Sequence, residues 1–459
     1  MYYIRMKNNV TDMTSGNPVK HIILFALPSL LGNVFQQVYN LADSMIVGQL
    51  VGPDALASVG ATSSITFLFF ALCNGIGGGG GIIVSQYFGA HDDDRVRNCI
   101  VNTGFIMLLV PLIFGILGYF TASPLLRLLS TPDNILSDAV SYTRILCLGL
   151  LFVSVYNFTA SMLRALGDSR TPLFFLIMST MINVLLDILL VYCFKLGING
   201  AAYATVIAQF IAMVTSLLFA LRKNPYFAFR KTDFSISLNM TFKIVKLGVP
   251  LSLQFGLIAI SSMAVQRIVN SYGSVVVAAF TATNRIEQLI HQPYTTLGTS
   301  LATYCGQNYG AEKYDRVYEG YKKALLIMFC LTVVMVISMH LFGEKLTALF
   351  VSDPSVIKLG GTGLKITSLF YLALGMIYII RGILTGVGDA FFALFNGIVE
   401  IIGRFTIPLL MTKYMGLGIQ GIWWSAGVVW VLSGGTAWMR YYRRLRKKLI
   451  SPKQHIYDQ

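Results

Sequence analysis

Charge is scarce in this sequence. Asp, Glu, Lys and Arg make up 12% of its 459 residues, against about 25% in a soluble domain. Hydrophobic residues reach 55% and mean hydropathy is +0.67, which excludes an ordinary soluble domain and points to a polytopic membrane protein. The 42 glycines fit the same class, since glycine is more frequent in membrane helices than in soluble ones. Cysteine is sparse too. Cys73, Cys99, Cys147, Cys193, Cys305 and Cys330 lie far apart, form no C-x-x-C and fall mostly inside apolar segments. Neither a disulfide framework nor a zinc site is expected from them. Five scattered histidines make no metal constellation. No Ser/His/Asp or Cys/His arrangement stands out, so no enzymatic activity and no cofactor are expected. The glycine run 77–81 lacks a following Lys-Ser/Thr at Walker spacing; it suits close helix packing or bending instead. No cleavable signal peptide is visible, because residues 1–20 are polar and no small-residue cleavage site follows the first apolar run.

What is present is a series of long apolar runs. Twelve of them occur, near 22–47, 56–84, 99–121, 141–165, 172–192, 200–221, 248–270, 276–303, 324–342, 365–385, 391–412 and 420–440. Crossing a bilayer takes about 20 residues, so the pattern predicts an all-α integral membrane protein with twelve transmembrane helices. Counted over alternate connections with the N-terminus inside, 24 lysines and arginines fall on one side and 7 on the other. That asymmetry predicts both termini in the cytoplasm. It also accounts for the net charge of +15 without a nucleic-acid partner. The tail RYYRRLRKK reads as a stop signal that fixes topology; its basic residues also suit anionic lipid. The acidic cluster 92–94 lies in a cytoplasmic connection and is expected to be solvated.

The chain repeats at an offset of 221. SQYFGAHDDDRV (85–96) lies over GQNYGAEKYDRV (306–317) with six identities in twelve positions, and LGING (196–200) over LGIQG (417–421). Gly167-Asp168 lies over Gly388-Asp389, and Pro28 falls one residue out of register with Pro250. Six is an even number of spans, so the halves enter the membrane in the same sense, related by an axis along its normal. The expected organisation is a six-helix lobe over 1–221, a cytoplasmic linker at 222–246, a second six-helix lobe over 247–440 and a basic cytoplasmic tail at 441–459. Two pseudo-symmetric bundles around a cavity suit an alternating-access transporter.

Polar residues inside such runs carry the functional expectation, because an acid at the bilayer centre costs about 2.5–3.5 kcal/mol on insertion scales. In the first run, Ser29, Asn33, Gln36, Gln37, Asn40, Asp43 and Ser44 share roughly 120° of a helix turning about 100° per residue. The opposite face is apolar. In lipid this polar stripe must line a cavity, with Asp43 as its only charge. Asn157, Asn183 with Asp187 one turn later, and Thr205 with Gln209 add polar positions in the fourth to sixth runs. Two carboxylates with amide and hydroxyl neighbours suit a proton or a sodium ion; the plainer alternative is that Asp43 and Asp187 only hydrogen-bond neighbouring helices. In the second half Asp43 maps to Ala264 or Val265, Asn183 to Arg404 and Asp187 to Pro408. The seventh run offers Gln254, Ser261, Ser262, Gln266 and Arg267 but no acid. The acids there are Glu287, beside Arg285 and His291, and Glu400, spaced for an ion pair with Arg404. The Glu400–Arg404 pair reads as structural or gating, and Glu287 as part of a satisfied network or of the cavity lining.

NLADSMIVG after Pro28, LRALGDSRTP (163–172), NVLLD with KLGINGAAYAT (183–205) and RIEQLIHQPYTTLGTSLATYCGQNYGA (285–311) together resemble the multidrug and toxic compound extrusion (MATE) family, over nearly the whole chain and in order. The resemblance implies a V-shaped twelve-helix antiporter that exports cationic or amphipathic compounds against inward protons or sodium. The similarity is closest to the prokaryotic DinF-type branch. Its first-lobe ion site matches Asp43, Asn157, Asn183, Asp187 and Thr205, and the bend of its first helix matches Pro28. The NorM-type branch uses an acid on the seventh helix, where this chain has Ile258. Asn33, Gln36, Gln37, Asn40, Gln209, Gln254 and Glu287 are then expected to line the substrate cavity. The implied setting is the plasma membrane of a prokaryote, with small-molecule substrates, surrounding lipid and a monomeric protein. A lipid or oligosaccharide flippase of the related superfamily is the alternative; Arg267, Arg285 and Arg404 favour it, while twelve spans and an acid-lined first lobe oppose it.

Overall fold

The computed structural model describes residues 10–129 and 131–446; most of the basic tail and the extreme N-terminus lie outside the described residues. Every regular element among them is helical. Helices α1 (Pro18–Leu50), α2 (Pro53–Gly89), α3 (Asp93–Leu128), α4 (Asp133–Ala165), α5 (Arg170–Asp187) and α6 (Gly197–Lys223) come first. They are followed by α7 (Leu238–Asn270), α8 (Ser274–Gly310), α9 (Tyr314–Ala348), α10 (Pro354–Ser368), α11 (Tyr371–Gly386), α12 (Phe391–Leu409) and α13 (Gly421–Arg440). Prolines open α2 and α10, where the first turn has no use for a backbone N–H. The Asp92 carboxylate caps α3 by accepting from Arg95 N at 3.0 Å.

Nine helices among the described residues are long and apolar enough to cross a membrane. The tenth run is not the single span 365–385 that hydropathy suggests. It is α10 and α11, bent by 51° at Leu369 and Phe370, and by length and composition the pair has the form of a broken span or a re-entrant loop. Large apolar side chains stand exposed along these helices, Phe120 at 73%, Leu341 at 66% and Leu185 at 65%, a surface that only lipid would cover without aggregation. On α1 the side opposite the polar stripe does the same, through Leu31, Phe35, Val38 and Met45.

The described chain divides into two compact units, one of 10–12 with Leu27–Ser252, the other of Met13–Ala26 with 253–446. Two helices therefore change unit partway along, α1 next to Pro28 and α7 next to Pro250. In the first unit the core gathers Val84, Cys99, Ile100, Met107, Met162 and Leu163 from α2, α3 and α4. The segment 224–237 is tied onto this unit. Arg97, almost fully buried, pairs with Asp233 at 3.4 Å and with Asp94, and Asn98 and Asn102 hold Ser235 and Ser237. The acidic cluster 92–94 is thus not simply solvated: Asp93 accepts from Tyr226 Oη at 3.0 Å and Asp94 meets Arg230 at 3.4 Å. In the second unit Tyr294, Leu301, Tyr304, Tyr371 and Ile379 form the core, and Met13, Ile22 and Phe25 join it.

The 221-residue repeat is sharper in the backbone than in the letters. Left-handed φ values occur in pairs at that offset: Gly52 with Gly273, His91 with Glu312, Gly167 with Gly388, Lys195 with Gly416, Gly197 with Gly418. The π-helical turns that follow α5 and α12, Ile188–Cys193 and Leu410–Tyr414, repeat likewise.

Candidate functional site

Within the first unit, α1 and α5 bring two acids together. Asp187 is the last residue of α5, fully buried, at the point where the helix loosens into the π-helical turn. Such turns widen a helix and recur at functional sites. The Asp43 side chain, half-buried on α1, is in hydrogen-bonding contact with Asp187. One turn before Asp187, the Asn183 amide reaches Thr205 Oγ1 on α6 at 3.4 Å. Tyr39, one turn before Asp43, also reaches Thr205, and the buried Tyr142 of α4 faces both carboxylates. Two acids, an amide, a hydroxyl and two phenols from four helices thus share one small volume. Carboxylates approach this closely only with a proton or a cation between them.

The other expected residues divide. Asn157 gives its amide to Val153 O of its own helix at 2.9 Å. Gln209 sits one turn beyond Thr205, half-buried, with Oε1 facing no hydrogen-bond donor among the described residues. On the α1 stripe Gln36 donates to Asn40 Oδ1 at 3.4 Å, and Asn33 and Gln37 are half-buried; the side chain of Ser44 lies outside the described residues. Helix α1 runs through Pro28 without interruption. Tyr39 and Tyr142 were not expected. Tyr39 is legible afterwards as the residue one helical turn before Asp43, whereas nothing in the spacing singles out Tyr142.

In the second unit Gln254, 3% exposed, packs beside Gly397 of α12. The Glu400–Arg404 pair forms, at 3.8 Å, but the nearer partner of Glu400 is Arg381 of α11 at 3.0 Å. Arg381 also donates to Asn396 at 2.6 Å, and Ser433 of α13 donates to Glu400 at 3.2 Å. Arg285 is exposed; the arginine that faces Glu287 is Arg404.

The MatE family model matches residues 28–189 and 250–407. The "Probable multidrug resistance protein YpnP" of Bacillus subtilis (strain 168) is 32% identical over 446 residues, covering 96% of this chain and 98% of that protein. A second protein of that organism, "Probable multidrug resistance protein YoeA", is 30% identical over 408 residues, 87% of this chain and 88% of its own. The outward-facing structure of a multidrug resistance MATE family transporter superposes with a TM-score of 0.89 at 22% identity, covering 96% of this chain and 98% of its own. Matches of this extent leave one assignment: the chain belongs to the MatE family, the multidrug and toxic compound extrusion transporters.

Proposed function

We propose that this protein is a secondary antiporter that exports cationic or amphipathic small molecules in exchange for inward protons or sodium, by alternating access. The observation that carries the reading is the contact between Asp43 on α1 and Asp187 on α5. A proton or sodium ion arriving there changes which oxygens are held, and so changes the fit of α1 against α5 and α6. Helix α1 passes from one unit to the other beside Pro28, whose ring leaves one backbone hydrogen bond unmade. Bending at that point converts ion occupancy into a change of the substrate space lined by Asn33, Gln36, Gln37 and Asn40. The ion drives the cycle only through its different affinity for the two conformations.

Twelve spans complete the layout, with α8 and α13 added to the nine helices and the α10–α11 pair. Helix α8 is 37 residues long; its apolar average is lowered by Arg285, Glu287, Gln288, His291 and Gln292, which are polar without shortening it. The protein works as a monomer in a prokaryotic plasma membrane with both termini cytoplasmic. The decisive experiment is uptake of a fluorescent cation such as ethidium into inverted vesicles or proteoliposomes under separately imposed pH and sodium gradients. Asp43→Asn is expected to abolish gradient-driven uptake while the protein elutes as the intact one does. Undiminished transport by that variant overturns the proposal.

A further inference from the structure

The first-unit site makes no use of a second group of ionisable side chains, half-buried or buried, all inside the second unit. Glu287 and His291 lie one turn apart on α8, and each keeps a buried atom, Oε1 and Nε2 respectively, with no hydrogen-bond partner among the described residues. Glu287 is in hydrogen-bonding reach of Thr367 on α10 and faces the buried Tyr371 of α11. The His291 ring meets Trp430 of α13 edge-on at 5.7 Å between centroids, and Tyr378 of α11 at 6.2 Å. From α12, Arg404 faces both Glu287 and His291, and Glu400 faces His291. From α11, Arg381 is committed to Glu400 and Asn396. Helix α9 contributes Thr332 against Tyr294 and, further along, His340 against Ser368.

We propose that Glu287 and His291 form a second protonation site, wholly within the second unit, and that its proton acts through Arg404 on the contact between α12 and α7. The charges around Arg404 support this. Arg381 and Arg404 share Glu400, and among the described residues Glu287 is the further acid that faces Arg404. A proton on Glu287 removes that negative charge, and a proton on His291 sets a second cation beside the guanidinium. Either event pushes on Arg404, which holds Ser262 of α7 at 3.2 Å and Glu400 at 3.8 Å. The positions open to a proton are one carboxylate oxygen and one ring nitrogen. This second site goes beyond the antiport reading, which places ion exchange at Asp43 and Asp187.

Trp430 supplies the readout, because an imidazolium against an excited indole accepts an electron from it and quenches its emission. The emission due to Trp430 is the difference between the intact protein and Trp430→Phe, followed in detergent from about pH 3 to about pH 9, a span that reaches well below the ordinary histidine range. That difference is expected to dim in one step as the pH falls. His291→Gln removes the step, and Arg404→Gln moves its midpoint up by about one pH unit or more, since it deletes a positive charge that faces the imidazole. Absence of the step in the intact protein overturns the proposal without recourse to a histidine variant. Persistence of the step in a His291→Gln protein that elutes normally also overturns it, as does an unmoved midpoint in Arg404→Gln. In Asp43→Asn the step is expected to remain, so the two proposals fail or stand separately.

Discussion

Asp168 shows how much a single side chain can carry at the edge of the membrane. It sits in the turn between α4 and α5, is 4% exposed, and its Oδ1 accepts from Arg170 N at 3.1 Å and Thr171 N at 3.0 Å. Burial raises the Asp168 carboxyl above its ordinary range, and the bonds from Thr171 and Arg170 offset only part of that. A folded state that holds its proton more tightly than the unfolded chain loses stability as pH rises from the unfolded value through the folded one. At neutral pH the charge is therefore a cost, while the cap is a gain. Asp168→Asn keeps the acceptor and drops the charge, so its unfolding temperature is expected to equal or exceed that of the intact protein at neutral pH. That advantage should shrink as the pH is lowered. Asp168→Ala loses the cap and is expected to cost about 1 kcal/mol. Thermal unfolding of the purified variants in detergent at two pH values checks both. The residue scale is also where the sequence was most and least legible. Asp43, Asn183, Asp187 and Thr205 were visible as polar positions in apolar runs. The partners of Tyr142 and Arg381 were not, because spacing along one helix reveals a shared face but not which residue a neighbouring helix turns toward it.

At the scale of elements, hydropathy located most spans and missed what happens inside them. The break between α10 and α11 falls at Leu369 and Phe370, two apolar residues with no proline or glycine to announce it. The π-helical turn after Asp187 is likewise hidden in an apolar string, ILLVYC. The glycine run of α2 was readable, as a device for close packing rather than for phosphate. A Cβ built on Gly79 would lie 2.6 Å from Gly248 N of α7, and one on Gly75 2.4 Å from Ser252 N, all within the first unit. One on Gly78 meets nothing nearer than Leu251 Cδ1 at 3.8 Å. Gly79→Ala must therefore push α7 away from α2, at an expected cost of about 1–3 kcal/mol. Gly78→Ala, on the same helix and with the better helix former, is expected to be neutral or slightly stabilising. Unfolding temperatures of the pair test this directly; equal losses for both would mean that the α2–α7 approach is not the constraint.

For the whole molecule, the repeat was the most informative signal, and its physical content is the backbone. Paired left-handed turns at an offset of 221 persist where the letters have diverged, as at Lys195 and Gly416 or His91 and Glu312, because a connection's path is constrained by the helices it joins more than by its side chains. The repeat begins near Pro28 and is silent about the chain before it, so nothing in the letters indicates that Met13–Ala26 packs with the second unit. There the Met13 N–H donates to Gln307 Oε1 at 2.9 Å, and Asn308 and Arg316 both donate to Met13 O at 3.2 Å. The same repeat, with the lysine and arginine asymmetry, makes a topological prediction that hydropathy leaves open for α8 and α13. If both cross the membrane, Ser271 and Lys413 lie outside, and Glu312 and Arg443 lie in the cytoplasm. Single cysteines at these four positions, in a background where the exposed Cys193 and Cys330 are serine, can be probed with a membrane-impermeant maleimide. Ser271→Cys and Lys413→Cys are expected to label on intact cells, Glu312→Cys and Arg443→Cys only after permeabilisation. Labelling of Ser271→Cys and Glu312→Cys from one side would leave α8 out of the membrane and reduce the number of crossings below twelve. That outcome would also reverse the sidedness of every span between α8 and the C-terminus, which the positive charge of Arg440, Arg443 and Arg446 opposes.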